Sequence, residues 1–157
     1  MEESNEQIDQ PPPTTVTVGG DIDIEYKWLE EQTVEVLHFL HRQNSEVSVR
    51  VVCDEEMSTL HIKHSGVEGT TDVLTFDHGS DEQSVRADLA VCFDVAMRES
   101  KNRNHSVQNE LLLYIVHGIL HCTGFDDHNE EDHKLMHQEE DRILKAIGVG
   151  VVWSHST

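Results

Sequence analysis

NELLLYIVHGILHCTGFDDH, residues 109–128, is the most apolar stretch of the chain and decides its architecture. From Leu111 to Leu120 apolar residues fill nearly every position. A helix of that kind is buried all round instead of along one stripe. His117 and His121 interrupt it at i and i+4, so both rings project from one face. Gly124 ends the helix one residue past its cap, where glycine takes up the left-handed conformation without strain. The chain then turns into Asp126, Asp127 and a third histidine, His128.

Outward from this helix, the flanks supply a small sheet and its covering helices. TTVTV (14–18) reads as a short strand ahead of Gly19 and Gly20. Between Tyr26 and His41, Trp28, Val34, Leu37 and Leu40 recur at helical spacing. EVSVRVVC (46–53) alternates, with Val47, Val49 and Val51 on one side, as a strand does. Asp54 is placed to cap the helix DEEMSTLHIKHS, whose first turn is acidic. GVEGT is a loop, TDVLTFD (71–77) a β-rich run, HGSDEQ a turn and SVRADLAVCF (84–93) another strand. A short helix about residues 94–102 precedes the apolar one, and an acidic helix at about 129–147 stops at Gly148. The short helix aside, the order β-α-β-α-β-β-α-α predicts an α+β domain: a small mixed β-sheet packed with helices. Its central histidine helix is of the zincin-like kind. Residues 1–13, polar and ending in three prolines, read as a disordered tail. A single domain spans 14–150, and 151–157 form a C-terminal tail.

Charge narrows the partners. The chain carries 31 acids against 11 bases, a formal net charge of −20. That repels anionic membranes and nucleic-acid backbones at long range, so an RNA partner has to be gripped locally. No apolar run is long enough to span a membrane. MEESNEQIDQPPP is acidic and polar, the opposite of a signal peptide. Cys53, Cys92 and Cys122 are odd in number and form no CxxC pair, so neither a zinc ribbon nor a disulfide framework is indicated. Cys53 and Cys92 read as small core residues in a reducing cytoplasm.

Two imidazoles at i and i+4 can chelate one Zn²⁺, and the glycine turn can return a third ligand to it. The pair alone is weak support, since histidine pairs also satisfy each other or the backbone. Here both rings sit in an apolar helix, where an unpartnered imidazole is costly. Three protein ligands and one open position is the layout of catalytic zinc. The zinc-peptidase pattern HExxH has glutamate after its first histidine, and this chain has Gly118 there. Glu110, two turns earlier, and Asp126 are the candidate replacements for that general base. A second HxxxH, His133 and His137 in HNEEDHKLMHQEED, reads as a solvated helix face.

HGILHCTGFDDH, preceded by NELLLYIV and followed by the acidic helix ending in EEDRIL, resembles the YbeY-type endoribonuclease family. TTDVLTF (70–76) resembles that family's threonine-aspartate-valine-leucine-serine-phenylalanine block, and ADLAV (87–91) its following strand. The likeness runs in order and spacing from about residue 47 to residue 147. It implies a cytoplasmic, single-strand-specific endoribonuclease with one Zn²⁺ per chain. Such an enzyme processes the 3′ end of small-subunit ribosomal RNA and serves ribosome quality control. The implied partners are RNA, ribosomal proteins or the small subunit, with no membrane. His117 and His121 become metal ligands and catalytic groups, and Thr71 and Asp72 stand at the mouth of the cleft strand.

Two positions depart from the family pattern. Its H-x3-H-x5-H motif, counted without a gap, puts the third histidine at Asp127, and His128 lies one position late. Asp127 is the first choice for third ligand, since carboxylates bind zinc, and His128 is the alternative. An arginine that many members carry before the TDVL block is Ser65 here, with His61 and His64 beside it. Serine lacks the planar fork that holds phosphate. Lys63 and Arg86 are the first candidates for the missing charge, with Arg98, Lys101 and Arg103 as a wider local patch. Two other functions share the histidines: a zinc peptidase without its glutamate, and a non-catalytic ribosome-maturation factor whose zinc is structural.

Overall fold

Val47, Val49 and Val51 do face one way, and what they face is the histidine helix layer. The computed structural model describes residues 13–150 and 152–153. Its strands are β1 (Thr15–Gly20), β2 (Glu46–Val52), β3 (Val73–Asp77) and β4 (Arg86–Cys92). Its helices are α1 (Lys27–Phe39), α2 (Asp54–Ser65), α3 (Phe93–Arg103), α4 (Val107–Cys122) and α5 (Glu130–Ala146). The sheet order is β1-β2-β4-β3, with β1, β2 and β4 parallel and β3 antiparallel at the edge. This is the mixed sheet expected, with the short helix α3 as a full element.

Strand alternation divides the core. Val47, Val49, Val51, Ala87, Leu89 and Val91 join α1, α4 and α5 in the main cluster. Val52, Leu74, Ala90 and Cys92 point the other way, onto Met57 of α2. Helix α4 is buried on all sides from Glu110 to Val116. Each of its buried leucines and isoleucines contributes about 1.5–3 kcal/mol of burial. Ser106 caps its start by accepting from the Asn109 N–H at 3.0 Å. At its end Gly124 has φ +105°, the Phe125 N–H donates to Leu120 O, and the Gly124 N–H donates to His121 O. That is the Schellman closure the glycine predicts.

Three expectations shift. The buried seam of α1 is Leu29, Thr33, Val36 and Leu37, so Trp28 and Val34 sit beside it and not in it. Thr33 is tolerated there because its hydroxyl donates to Leu29 O at 2.7 Å. Asp54 is the first helical residue of α2 and Cys53 the cap position; the Asp54 N–H is satisfied from α3, by Asp94 Oδ2 at 2.7 Å. Val152 and Trp153, assigned above to a tail, pack onto α5 through Asp141. The expected disordered tail lies outside the described residues except for Pro13.

Candidate metal centre

His117 and His121 occupy the last turns of α4, and the Gly124 turn folds the next residues back over them. Their Nε2 atoms stand 3.1 Å apart. Asp127 reaches the same point, with Oδ2 3.5 Å from His117 Nε2 and Oδ1 3.9 Å from His121 Nε2. The three residues form a group that could hold a metal ion, their donor atoms all within 4.8 Å of one another. His128 is not brought in: its side chain is 79% exposed and lies 3.5 Å from Asp126. Asp126 is thereby also turned away.

The donor chemistry fits a cation. His117 Nδ1 donates to Glu140 Oε2 at 2.7 Å, which leaves Nε2 as a lone pair. That lone pair faces a second ring nitrogen and a carboxylate, an arrangement that needs a proton or a cation between them. A tetrahedral ion with bonds of about 2.0–2.1 Å sets its ligand atoms about 3.3 Å apart, close to the spacings seen. Burial pulls the His117 imidazole down, but Glu140, Asp72 and Asp127 outweigh it and raise its pKa. Burial pushes the Glu140 carboxyl up, yet the N–H groups of His117, His137 and Trp153 hold it below its usual value.

The group opens on a cleft of about 480 Å³ along the edge strand, lined by His64, Asp72, Thr75, Asp77 and Cys122 among others. Burial pushes the Cys122 thiol up to about 11, so it is no nucleophile at neutral pH. A second depression of about 360 Å³ shares Asp72, His117 and Asp127 and runs toward Arg103, His137 and Trp153. The triad stands where the two meet.

Gly118 now has a reason. A Cβ there would lie 2.4 Å from Leu89 Cδ2 and 2.9 Å from Thr75 Oγ1. The helix presses on the sheet at this residue, so the glutamate of HExxH has no room. Glu110 does not replace it: it is fully buried and held by Arg103 and His105.

The cations named from sequence fare unequally. Arg86 leaves β4 on the face opposite α4 and lines another depression with Thr15, Glu46 and Asp88, so it does not reach the cleft. Lys63 is exposed on α2 beside His64, which does line the cleft. Arg98 is tied to Asp54 at 2.8 Å. Ser65 turns its hydroxyl onto His61 O, at 2.9 Å, along its own helix. His133 is exposed as expected, but His137 is drawn inward to Glu140 Oε1 at 3.0 Å. Sequence reasoning missed Glu140, His137 and Trp153. Glu140 had a signal: it falls on the Met136, Ile143 and Leu144 stripe of α5, where an acid needs a buried partner.

Fold and donor set together define an α+β protein whose edge-strand cleft carries a His-His-Asp group. A sequence model of the family described as "Endoribonuclease YbeY" matches residues 14–148. The protein of that name from Shouchella clausii is 33% identical over 121 residues, covering 69% of this chain and 76% of its own. That from Albidiferax ferrireducens is 35% identical over 107 residues, covering 68% and 72%. The solution structure of TM1509 from Thermotoga maritima shares the fold, with TM-score 0.61 at 22% identity over 85% of this chain and 89% of that one. This chain belongs to the YbeY endoribonuclease family.

Proposed function

We propose that the chain is a metal-dependent, single-strand-specific endoribonuclease of the cytoplasm, acting at the 3′ end of small-subunit ribosomal RNA. One Zn²⁺ per chain would be held by His117, His121 and Asp127. The observation that carries this is the convergence of those three side chains at the cleft, in a chain whose relatives are named endoribonucleases. A divalent ion there supplies Lewis-acid polarisation of a phosphoryl oxygen and acidifies water near neutral pH. His117 and His121 offer Nε2 lone pairs, and Asp127 offsets part of the cationic charge. Three protein donors leave a position open to substrate. Asp72 lines both depressions beside the triad and would be the carboxylate that takes a proton from water or a ribose hydroxyl.

With a net charge of −20, the RNA is not held by a broad basic surface. The small subunit or a ribosomal protein presents it, with Lys63 standing on α2 beside the cleft-lining His64 and Arg103 lining the adjoining depression. No helix among the described residues is long and apolar enough to cross a membrane. The test is cleavage of single-stranded RNA with a 3′-extended small-subunit end, by the purified chain and by His121→Ala in buffers of the same total metal concentration. Cleavage by wild type and loss in the variant support the reading. Equal cleavage by both, or cleavage that survives complete metal removal, overturns it.

A further inference from the structure

Glu140 is 1% exposed and accepts from three N–H donors. Its Oε2 takes His117 Nδ1 at 2.7 Å. Its Oε1 takes His137 Nδ1 at 3.0 Å and Trp153 Nε1 at 2.7 Å. Two donors on one oxygen fix the plane of the carboxylate, and the other oxygen is left aimed at His117.

Trp153 is itself held from several directions. Its ring stacks on His137 at 3.8 Å between centroids and 25° between planes. The Arg103 guanidinium lies 4.6 Å over the ring, and Arg103 is anchored in turn by buried Glu110 of α4. The backbone N–H groups of Val152 and Trp153 donate to Asp141 Oδ1 at 2.6 and 3.0 Å. Trp153 thus reaches the centre through one buried carboxylate, Glu140.

We propose that Trp153 and His137 are positioning residues for the metal centre. By filling Oε1 they hold Glu140 where Oε2 keeps His117 in the tautomer that offers Nε2 to an ion. This rests on the metal reading above. Outer partners of this kind orient a metal-binding histidine and raise its basicity, and their loss weakens affinity by about 10–100-fold. Trp153→Phe keeps an aromatic ring against His137 and removes one donor, so its effect is the smaller one.

The test uses the full chain. Zn²⁺ affinity is measured by competition with a chromophoric chelator, alongside the visible spectrum of the Co²⁺ form and the melting temperature of the metal-free protein. Glu140→Gln is expected to bind Zn²⁺ about 10–100-fold more weakly. Trp153→Phe is expected to weaken it by roughly 3–10-fold with a shifted Co²⁺ spectrum, and to lower the metal-free melting temperature only modestly, with the protein still fully folded at the assay temperature. His137→Phe keeps the stack, removes the second donor and gives the same direction should Trp153→Phe fail to fold. Wild-type affinity and spectrum in Trp153→Phe and His137→Phe would overturn the proposal and reduce Trp153 to packing. A wild-type chain that takes up neither ion would overturn the metal reading underneath it, an outcome separate from failure of the variants alone.

Discussion

Two histidine pairs in this molecule share one local geometry and differ in what surrounds it. His117/His121 and His133/His137 are each i,i+4 pairs, with ring centroids 4.7 and 5.0 Å apart and planes at 80° and 74°. The first pair ends a helix buried on every side, and the Gly124 turn delivers Asp127 to both rings. The second lies mid-helix, where His133 faces solvent and His137 turns inward to Glu140 and Trp153. Spacing puts two rings on one face, but a third donor brought by the following turn makes a chelating group. The left-handed turn at Gly124, φ +105°, is what carries the chain back so that Asp127 meets both rings.

The comparison breaks most sharply by removing one ring from each pair. His121→Ala is expected to abolish chelator-resistant Zn²⁺ binding and to lower RNA cleavage at least about 100-fold, the scale of losing the bound ion. His133→Ala is expected to leave both within about twofold. Zinc content by elemental analysis and cleavage rates on one RNA decide it; equal losses would mean that spacing alone governs.

The third donor is the next point of attack. Asp127→Ala removes the group that distinguishes the pairs and should weaken Zn²⁺ by roughly tenfold or more, while His128→Ala stays near wild type. A larger loss in His128→Ala would restore the alternative ligand and require the loop to rearrange on metal uptake. Competition titration separates the two outcomes.

Much of this contrast was legible in the sequence, for reasons that mark the limits of reading it. An unbroken apolar run can only be a buried element, so α4 and its glycine stop were plain. Strand β2 followed from alternation at Val47, Val49 and Val51. What stayed hidden depends on partners distant in the chain. The cap of α2 comes from Asp94, 40 residues beyond Asp54. Glu110 looks misplaced in an apolar helix until Arg103 and His105 fold onto it. Trp153 follows a glycine-bearing stretch that reads as tail, and its hydrogen bond to Glu140 spans 13 residues. His137 sits among acids and carries no mark of burial. The family likeness pointed to His117, His121 and Asp127 but gave no sign of the carboxylate behind them.

The residue after each first histidine sharpens the comparison further. Gly118 is pressed against Leu89 and Thr75, whereas Lys134 is exposed. Gly118→Ala must displace the Leu89 and Thr75 side chains or the helix itself, an overpacking cost of about 1–3 kcal/mol. Lys134→Ala is expected to change stability by less than about 0.5 kcal/mol, as surface changes do. Urea unfolding of the two variants measures the difference, and equal midpoints would show that the contact with Leu89 and Thr75 yields without cost.

The smallest effect tests why a second set of donors is not a second centre. Asp54, Cys92 and Asp94 also bring ligand atoms within 4.8 Å of one another. Their partners are already chosen. The Arg98 guanidinium donates to both Asp54 oxygens, at 2.8 and 3.2 Å, and Asp94 caps α2 through the Asp54 N–H. The Arg98 hydrogen bonds hold the Asp54 carboxyl at about 2 against an ordinary 3.8. A depressed carboxyl stabilises the fold above its unfolded value, and the contribution fades as pH falls from about 4 through about 2. Arg98→Gln should therefore lower the melting temperature slightly at neutral pH, with the gap to wild type closing across that acid window. A gap that persists below pH 2 would mean that Arg98 acts through packing and not through this carboxylate. Zinc stoichiometry above one per chain in Arg98→Gln, against one in wild type, would show that the guanidinium is what keeps an ion out.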